Sequence, residues 1–531
     1  MTTRKKRWLI GTGTAAALAV IGVFVAGSVL SRRFEPYVRQ QAIQYLSERF
    51  DSDVQLEALH IHVPNISPLR LILLHGRGGV AAVEGESLSL RYHGAAGAPP
   101  LLRIRKFRLT VGLDTLFQTP KVVPLVVVNG MEINIPPKGQ RPHLNSGQPD
   151  SANQPPGRTP SVLIQQLQVH DTALTILPRD PRKNPLRFEI ADLKLHSAGA
   201  RSPMKYEANL SNPKPPGHIQ STGTFGPWNT GEPGDTPLAG DYTFDHADLG
   251  VFNGIAGILH SRGQFDGQLS ALNVNGEADV PDFRLKRSGN RVPLATRFQA
   301  LVDGTNGNTI LQPVNATLGR TNLTTSGGVI QHEPNRPRAI NLDANIPDGD
   351  MRDVLRLAMP GEPFMEGRLR LKTKIAIPPL SGPVREKLKL DGRFEVFDGK
   401  FLRSTIQNQL DGLSRRARGQ PENQEIDEVV SHMAGAFQLS DELLHFSELS
   451  FGVPGARIHL AGDYDMNADR LNFLGNVRLQ AKVSETMTGW KRVLLKPIDP
   501  FFSKNGAGTF LRIKVEGTAK SPKFGLAFGK P

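Results

Sequence analysis

The stretch ARIHLAGDYDMNADRLNFLGNVRL (Ala456–Leu479) alternates apolar and polar residues on both sides of a polar turn. In the first run Ile458 and Leu460 share one side, Arg457 and His459 the other. In the second, Leu471, Phe473, Val477 and Leu479 oppose Arg470, Asn472, Asn476 and Arg478. Side chains alternate across a strand, so this pattern predicts two strands with one apolar face each. The phrase LAGDY also begins at Leu238, and an apolar–x–Gly–polar–apolar theme returns in FDGQLSA, VNGEADV, MEGRLRL, LDGRFEV, FDGKFLR and VEGTAKS. Glycine inside a strand marks a bulge, a bend or a close approach. A bend repeated in strand after strand suits a sheet that curves across its width. Leu238 and Leu460 are then expected as equivalent rungs, with Gly240 and Gly462 as creases.

A longer echo points the same way. Asp248 followed by Gly263 resembles Asp353 followed by Gly367, each a short helix leading into a glycine-bearing strand. This reads as a degenerate structural repeat. A curved antiparallel sheet with one apolar face must cover that face with a second sheet, with helices, or with an apolar ligand.

Composition agrees with many short strands. The chain has 531 residues, 53 Gly, 41 Pro and only 6% aromatic residues. It has no cysteine, which removes disulfides, thiolate metal sites and Cys nucleophiles. The net charge of +14 is spread along strand-like segments, where it fits a solvated sheet face. No clustered basic and aromatic module for nucleic acid is present, so no nucleic-acid partner is expected.

The N-terminus reads as a membrane anchor. An uncharged stretch from Trp8 to Ser31 includes Leu9, Ile10, Leu18, Val20, Ile21, Val23, Phe24, Val25, Val29 and Leu30. As a helix at ~1.5 Å per residue it would span ~35 Å, enough for the hydrocarbon core of a bilayer. Arg4, Lys5, Lys6 and Arg7 precede it, which places the tip in the cytoplasm and the body across the membrane. A cleaved signal peptide would have a shorter apolar core and a better cleavage site, so a retained, single-pass anchor is expected.

Beyond the anchor, Phe34, Val38, Leu46 and Phe50 lie near one face of a predicted helix with Pro36 in its first turn. Val54 and Leu56 then alternate with polar residues as in a half-buried strand. Residues 136–160 are rich in Pro, Gly, Ser and Asn and read as a linker or loop. Strands dominate from residue 161, with few helical segments: DLGVFNGIAGIL, DGDMRDVLRLAM, FLRSTIQNQLDGLSRRARG, ENQEIDEVVSHM and VSETMTGWKRVLLK. The expected organisation is an anchor over 1–33, a helix and strands over 34–135, the linker over 136–160, a repetitive sheet over 161–400, and a C-terminal region with helices and closing strands over 401–531.

Catalytic signatures are missing: there is no HExxH, no phosphate-binding GxxxxGK[ST], no GxSxG and no EF-hand loop. His60 and His62 share a strand face without an identifiable third ligand, so no metal is assigned. Asp348 and Asp350 read as helix-capping residues in preference to an acid/base pair. No enzyme activity, catalytic residue or cofactor is expected.

The order of these features resembles the AsmA-like family of envelope proteins, which includes AsmA and TamB. The resemblance rests on the anchor and following helix, the Gly-punctuated strands, the stretch from Phe437 to Leu479, and the closing LRIKVEGTAKSPKFGL. It implies an inner-membrane anchor and a periplasmic, elongated, curved antiparallel β-sheet groove with an apolar interior and a few short helices. It further implies binding of phospholipid acyl chains and a part in lipid transport between the inner and outer membranes. TamB-like members suggest an alternative, a non-enzymatic scaffold for outer-membrane protein assembly, with outer-membrane or periplasmic assembly proteins as partners. The groove candidates are Val54, Leu56, Leu238, Ile458, Leu460, Leu471, Phe473, Val477 and Leu479.

Overall fold

The structure is a computed structural model. It describes residues 35–48, 52–62, 80–92, 99–112, 121–136, 162–177, 185–198, 203–227, 233–333, 336–421, 429–488, 496, 508–519 and 521–527. The expected anchor, Phe34, Phe50, nearly all of 136–160 and Trp490 lie outside these residues. Among the described residues no helix is long and apolar enough to cross a membrane. Strands dominate, most of them antiparallel, with few helices. The chain divides into two compact units, Met1–Lys214 with His218–Tyr242, and Pro215–Gly217 with Thr243–Pro531.

In the first unit, β1 (Ser52–His62), β2 (Val80–Tyr92), β3 (Leu102–Gly112) and β4 (Lys121–Ile135) pair antiparallel in chain order. β5 (Val162–Ile176) then lies parallel to β4, with Val128 opposite Val169. β6 (Leu186–Ala198) and β7 (Met204–Pro213) resume the antiparallel order, followed by β8 (Pro216–Phe225) and β9 (Leu238–Asp248). The expectation of antiparallel pairing throughout is therefore corrected at β4–β5. Parallel neighbours need a connection that returns to the starting end of the sheet, which a tight turn cannot make. The Pro-rich stretch provides the length for that return.

Alternating side chains bring Leu56, Leu59, Leu88, Leu90, Ile104, Val128 and Val169 into one core. Helix α1 (35–48) covers it with Val38, Ile43 and Leu46. α1 also occupies the free edge of β1. Arg39 donates to the Glu57 carbonyl at 2.8 Å, Ser47 donates to the Ser52 carbonyl at 2.7 Å, and Glu35 accepts from the Ile61 N–H at 2.9 Å. These bonds satisfy backbone groups that an open edge would offer to another chain.

From Thr243, within β9, the second unit continues with the two-residue strand β10 (Ile255–Ala256), β11 (Ile258–Gln268), β12 (Ala271–Val280) and a second two-residue strand, β13 (Arg284–Leu285). β14 (Leu294–Val302), β15 (Thr309–Leu318), β16 (Thr321–Ile330), β17 (Ala339–Asp350), β18 (Met365–Ile377) and β19 (Lys389–Phe401) follow. The last are β20 (Ser431–Ser440), β21 (Leu443–Val453), β22 (Ala456–Asp465), β23 (Arg470–Leu479), β24 (Thr509–Gly517) and β25 (Pro522–Leu526). From β11 to β25 each long strand pairs antiparallel with the next; among the described residues β10 pairs only with β13.

Helices α2 (Met351–Ala358) and α4 (Ser404–Ala417) leave the same end of the strands, and the single turn α3 (Val384–Lys387) leaves the other. α2 is capped by Asp350, whose carboxylate accepts from the Arg352 N–H at 2.9 Å and pairs with Arg320. Asp248 caps the short 3-10 turn Leu249–Val251 in the same way, accepting from Gly250 at 2.7 Å. The structural counterpart of Asp248 is thus Asp350, not Asp353. Asp353 is buried and instead accepts from the Arg320 N–H and the Thr321 hydroxyl, tying α2 to the β15–β16 turn.

Two helical expectations are corrected. Residues 249–260 contain only that 3-10 turn before strands resume, because Gly250, Gly254 and Gly257 interrupt any helical run. Met433 lies in strand β20, opposite Phe451, where cross-strand packing overrides its helix-like spacing from Val429 and Val430. Of VSETMTGWKRVLLK, the described part holds the 3-10 turn Val483–Thr486.

Candidate functional site

The register places most apolar rungs of the second unit on one face of its sheet. Leu444, Tyr464 and Leu471 align across β21–β23, and Phe451, Ile458, Val477 and Leu511 align across β21–β24. Leu342, Ile375, Leu390 and Leu439 continue the same face across β17–β20. The opposite face carries Asp343, Lys374, Asp391, Gln438, His445, Asp463 and Asn472 in the matching positions.

Coverage of the apolar face changes along the strands. Near the end bearing α2 and α4, the side chains are enclosed. Leu355 of α2 packs with Ile346, Met365, Leu369 and Val396, and Ala417 of α4 with Val429, Val453, Ala456, Val477 and Leu479. Farther along the strands, Leu371, Ile375, Leu390, Phe394, Phe437, Phe446, Leu460 and Leu471 are only half-buried. The substantial contacts of these strands are to neighbouring strands and to α2 and α4.

The half-buried zone is floored by phenylalanines. The rings of Phe394, Phe437, Phe446 and Phe473 form a chain with centroid separations of 6.2, 6.5 and 5.8 Å. Each of two rings lies over a cross-strand glycine. A Cβ at Gly435 would stand 2.8 Å from the Phe394 ring, and one at Gly392 would stand 2.9 Å from Phe437. Phe107 lies on Gly85 in the first unit in the same manner. The glycine theme therefore gives aromatic rings a flat resting place, the pairing that shields a glycine within a sheet. Gly462 has a second reason: its φ is +154° and a Cβ would fall on the Asn472 carbonyl oxygen.

The nine groove candidates divide by coverage. Leu460, Leu471, Ile458 and Leu238 are half-buried, and Ile458 packs against the α4 cluster. Phe473 is buried in the aromatic row, while Val477 and Leu479 belong to the closed core under α4. Leu56 and Val54 lie in the first unit's core beneath α1. The four phenylalanines that floor the open zone went unmarked as a row. Phe437, Phe446 and Phe473 fall in the C-terminal resemblance, and Phe394 in the theme stretch LDGRFEV. Register alone aligns them.

The polar face offers a different environment. A depression of about 1250 Å³ is lined by Arg370, Lys372, Lys374 and Arg393 together with Asp343, Asp391, Glu395 and Glu448. Equal numbers of each sign leave it no preference for an anion or a cation. Cross-strand pairs such as Arg297–Glu277 at 2.9 Å and His445–Asp463 at 2.6 Å mark a solvated face. Among the described residues no group of three His, Cys, Asp or Glu could hold a metal; His60 lies 3.8 Å from Glu35.

Asp282, just past β12, has a carboxyl with a depressed pKa. The Ile258 N–H, donated to Asp282 at 2.7 Å, holds that carboxyl below its ordinary value, with Arg284 assisting and burial opposing. A depressed carboxylate contributes stability above its unfolded pKa and loses it as pH falls through the folded one. Asp282→Asn is therefore expected to be less stable than the wild type at pH 7, with the gap narrowing below pH ~4. Urea unfolding across that range checks it; a gap independent of pH would exclude a role for the ionised carboxylate.

No family model, curated protein or solved structure matches this chain.

Proposed function

We propose that this chain is an AsmA-like envelope protein that holds phospholipid acyl chains on its apolar sheet face. In this reading it is anchored in the inner membrane by Trp8–Ser31, with the bulk of the chain in the periplasm. It takes part in lipid transport between the inner and outer membranes without catalysing a reaction. The observation that supports the reading is the half-buried zone of Leu371, Ile375, Leu390, Phe394, Phe446 and Leu460, which lies beyond the cores closed by α2 and α4 among the described residues. Each buried CH₂ of an acyl chain contributes about 0.8 kcal/mol, so such a face binds lipid without covalent chemistry. Its near-equivalent rungs offer no deep well to trap a sliding chain.

The test is photo-crosslinking in the full-length chain. A benzophenone amino acid at Leu460 is expected to capture phospholipid, detected by mass spectrometry, while one at His459 on the polar face captures none. Equal yields at the two positions would remove the support for the reading.

One observation favours a second reading, a non-enzymatic scaffold for outer-membrane protein assembly. β25 pairs only with β24 among the described residues, and Phe524 and Leu526 on it are 73% and 45% exposed. An open edge of this kind can accept a strand from a partner. The same crosslinker at Phe524 would then capture polypeptide.

A further inference from the structure

We propose that residues 249–257 and 281–293 form a strap across the apolar face of the second unit, and that it gates the movement of an acyl chain beneath it. This inference rests on the lipid reading above. The two segments leave the sheet between β9 and β11 and between β12 and β14, and fold together as one lobe. β10 pairs with β13, the Lys286 N–H donates to the Gly254 carbonyl at 3.0 Å, and Leu249 donates to Gly257 at 2.9 Å. Val292 and Ala256 are 2% and 5% exposed, so the lobe has a small core of its own.

The lobe touches both ends of the strands. At one end the Asn290 side-chain amide donates to the carbonyls of Met359 and Gly361, each at 2.9 Å, just past α2. At the other, a Cβ built on Gly254 lies 3.8 Å from the Val384 Cβ in α3. Arg287 also stands within electrostatic reach of Tyr464, whose side chain lies on the apolar face at the far end of β22. Since α2 packs on the apolar face, a lobe joining α2 to α3 and Tyr464 crosses on that side. Yet Leu371, Ile375 and Leu390 of the floor stay half-buried, which leaves room beneath the strap.

The strap is held to α2 by the Asn290 hydrogen bonds and a short run of packing from β13, and it meets α3 and Tyr464 at its other side, few enough attachments for it to open. The full chain has no cysteine, so Gly254→Cys with Val384→Cys creates a single possible disulfide. The 3.8 Å separation is close to the mean Cβ–Cβ distance of such bonds. Gly254 has φ +99°, so the cysteine strains the backbone, and the reduced form of the same variant is the control. The protein is reconstituted in vesicles of phosphatidylethanolamine and phosphatidylglycerol. Transfer of a fluorescent phosphatidylethanolamine to acceptor vesicles is then followed.

Oxidation is expected to slow transfer about tenfold or more, with reduction restoring it. Asn290→Ala, which removes the strap's hydrogen bonds to the end of α2 without a cysteine, is expected to speed transfer severalfold. Equal rates in the oxidised and reduced forms, with the disulfide confirmed by mass, would overturn the gate. Failure of the disulfide to form would overturn the strap contact and leave the lipid reading standing. A disulfide that forms in a chain binding no lipid in any form would overturn the lipid reading, and the gate with it.

Discussion

Leu460→Arg is expected to cut lipid crosslinking at Phe446 by about tenfold or more while the second unit stays folded. Leu460 faces Leu449 and Gly475 in the half-buried zone. An arginine there can lay its methylenes on the sheet and turn its guanidinium to water, so folding loses little. An acyl chain has no such escape. To occupy the face it must strip water from a cation it cannot pair with, at a cost of several kcal/mol. The contrast with Val477→Arg sharpens the expectation. Val477 is 8% exposed in the closed core under α4, and a charge there should unfold that core. Circular dichroism and urea unfolding separate the two outcomes. A folded Leu460→Arg chain that still crosslinks lipid at wild-type yield would sink the acyl-chain reading.

Gly462→Ala is expected to cost about 2–4 kcal/mol of stability, far more than an ordinary surface change. The added Cβ meets the Asn472 carbonyl oxygen of the paired strand, at a φ of +154° that L-residues rarely adopt. Neither problem can be relieved by rotating a side chain, because the obstacle is backbone. Gly412→Ala provides the opposite sign. It sits within α4 with nothing inside 4 Å of the new Cβ, and removing a helical glycine should add about 0.5–1 kcal/mol. Paired urea denaturation curves measure both. Similar shifts for the two glycines would mean that the strand glycines are not structural creases.

Much of the sheet was legible in the alternation. Ile458, Leu460, Leu471, Phe473, Val477 and Leu479 share a face as their spacing predicts, because a strand turns alternate side chains to opposite sides. Helix α4 was legible in the spacing of Ile406, Leu410 and Leu413, and α1 in that of Val38 and Leu46. The parallel pairing of β4 with β5 was not, since alternation reports which residues share a face and says nothing of strand direction. Nor could spacing separate Asp350 from Asp353. Both precede apolar residues, and only the fold shows that one caps α2 while the other reaches the β15–β16 turn.

The candidate site divides in the same way. Leu460 and Val477 look equivalent in sequence, two apolar rungs on one sheet face. They differ because α4, anchored more than forty residues earlier, folds over one end of the strands and leaves the rest of the face open. The strap depends on Gly254 meeting Val384, and the aromatic floor on Phe394 crossing to Gly435, contacts between residues far apart in the chain. By itself the sequence determined that this protein builds glycine-creased strands with one apolar face, because period and residue type act locally. Which part of that face is sealed, which is open and what crosses it were decided only by tertiary structure, because coverage depends on which distant segment comes to rest there.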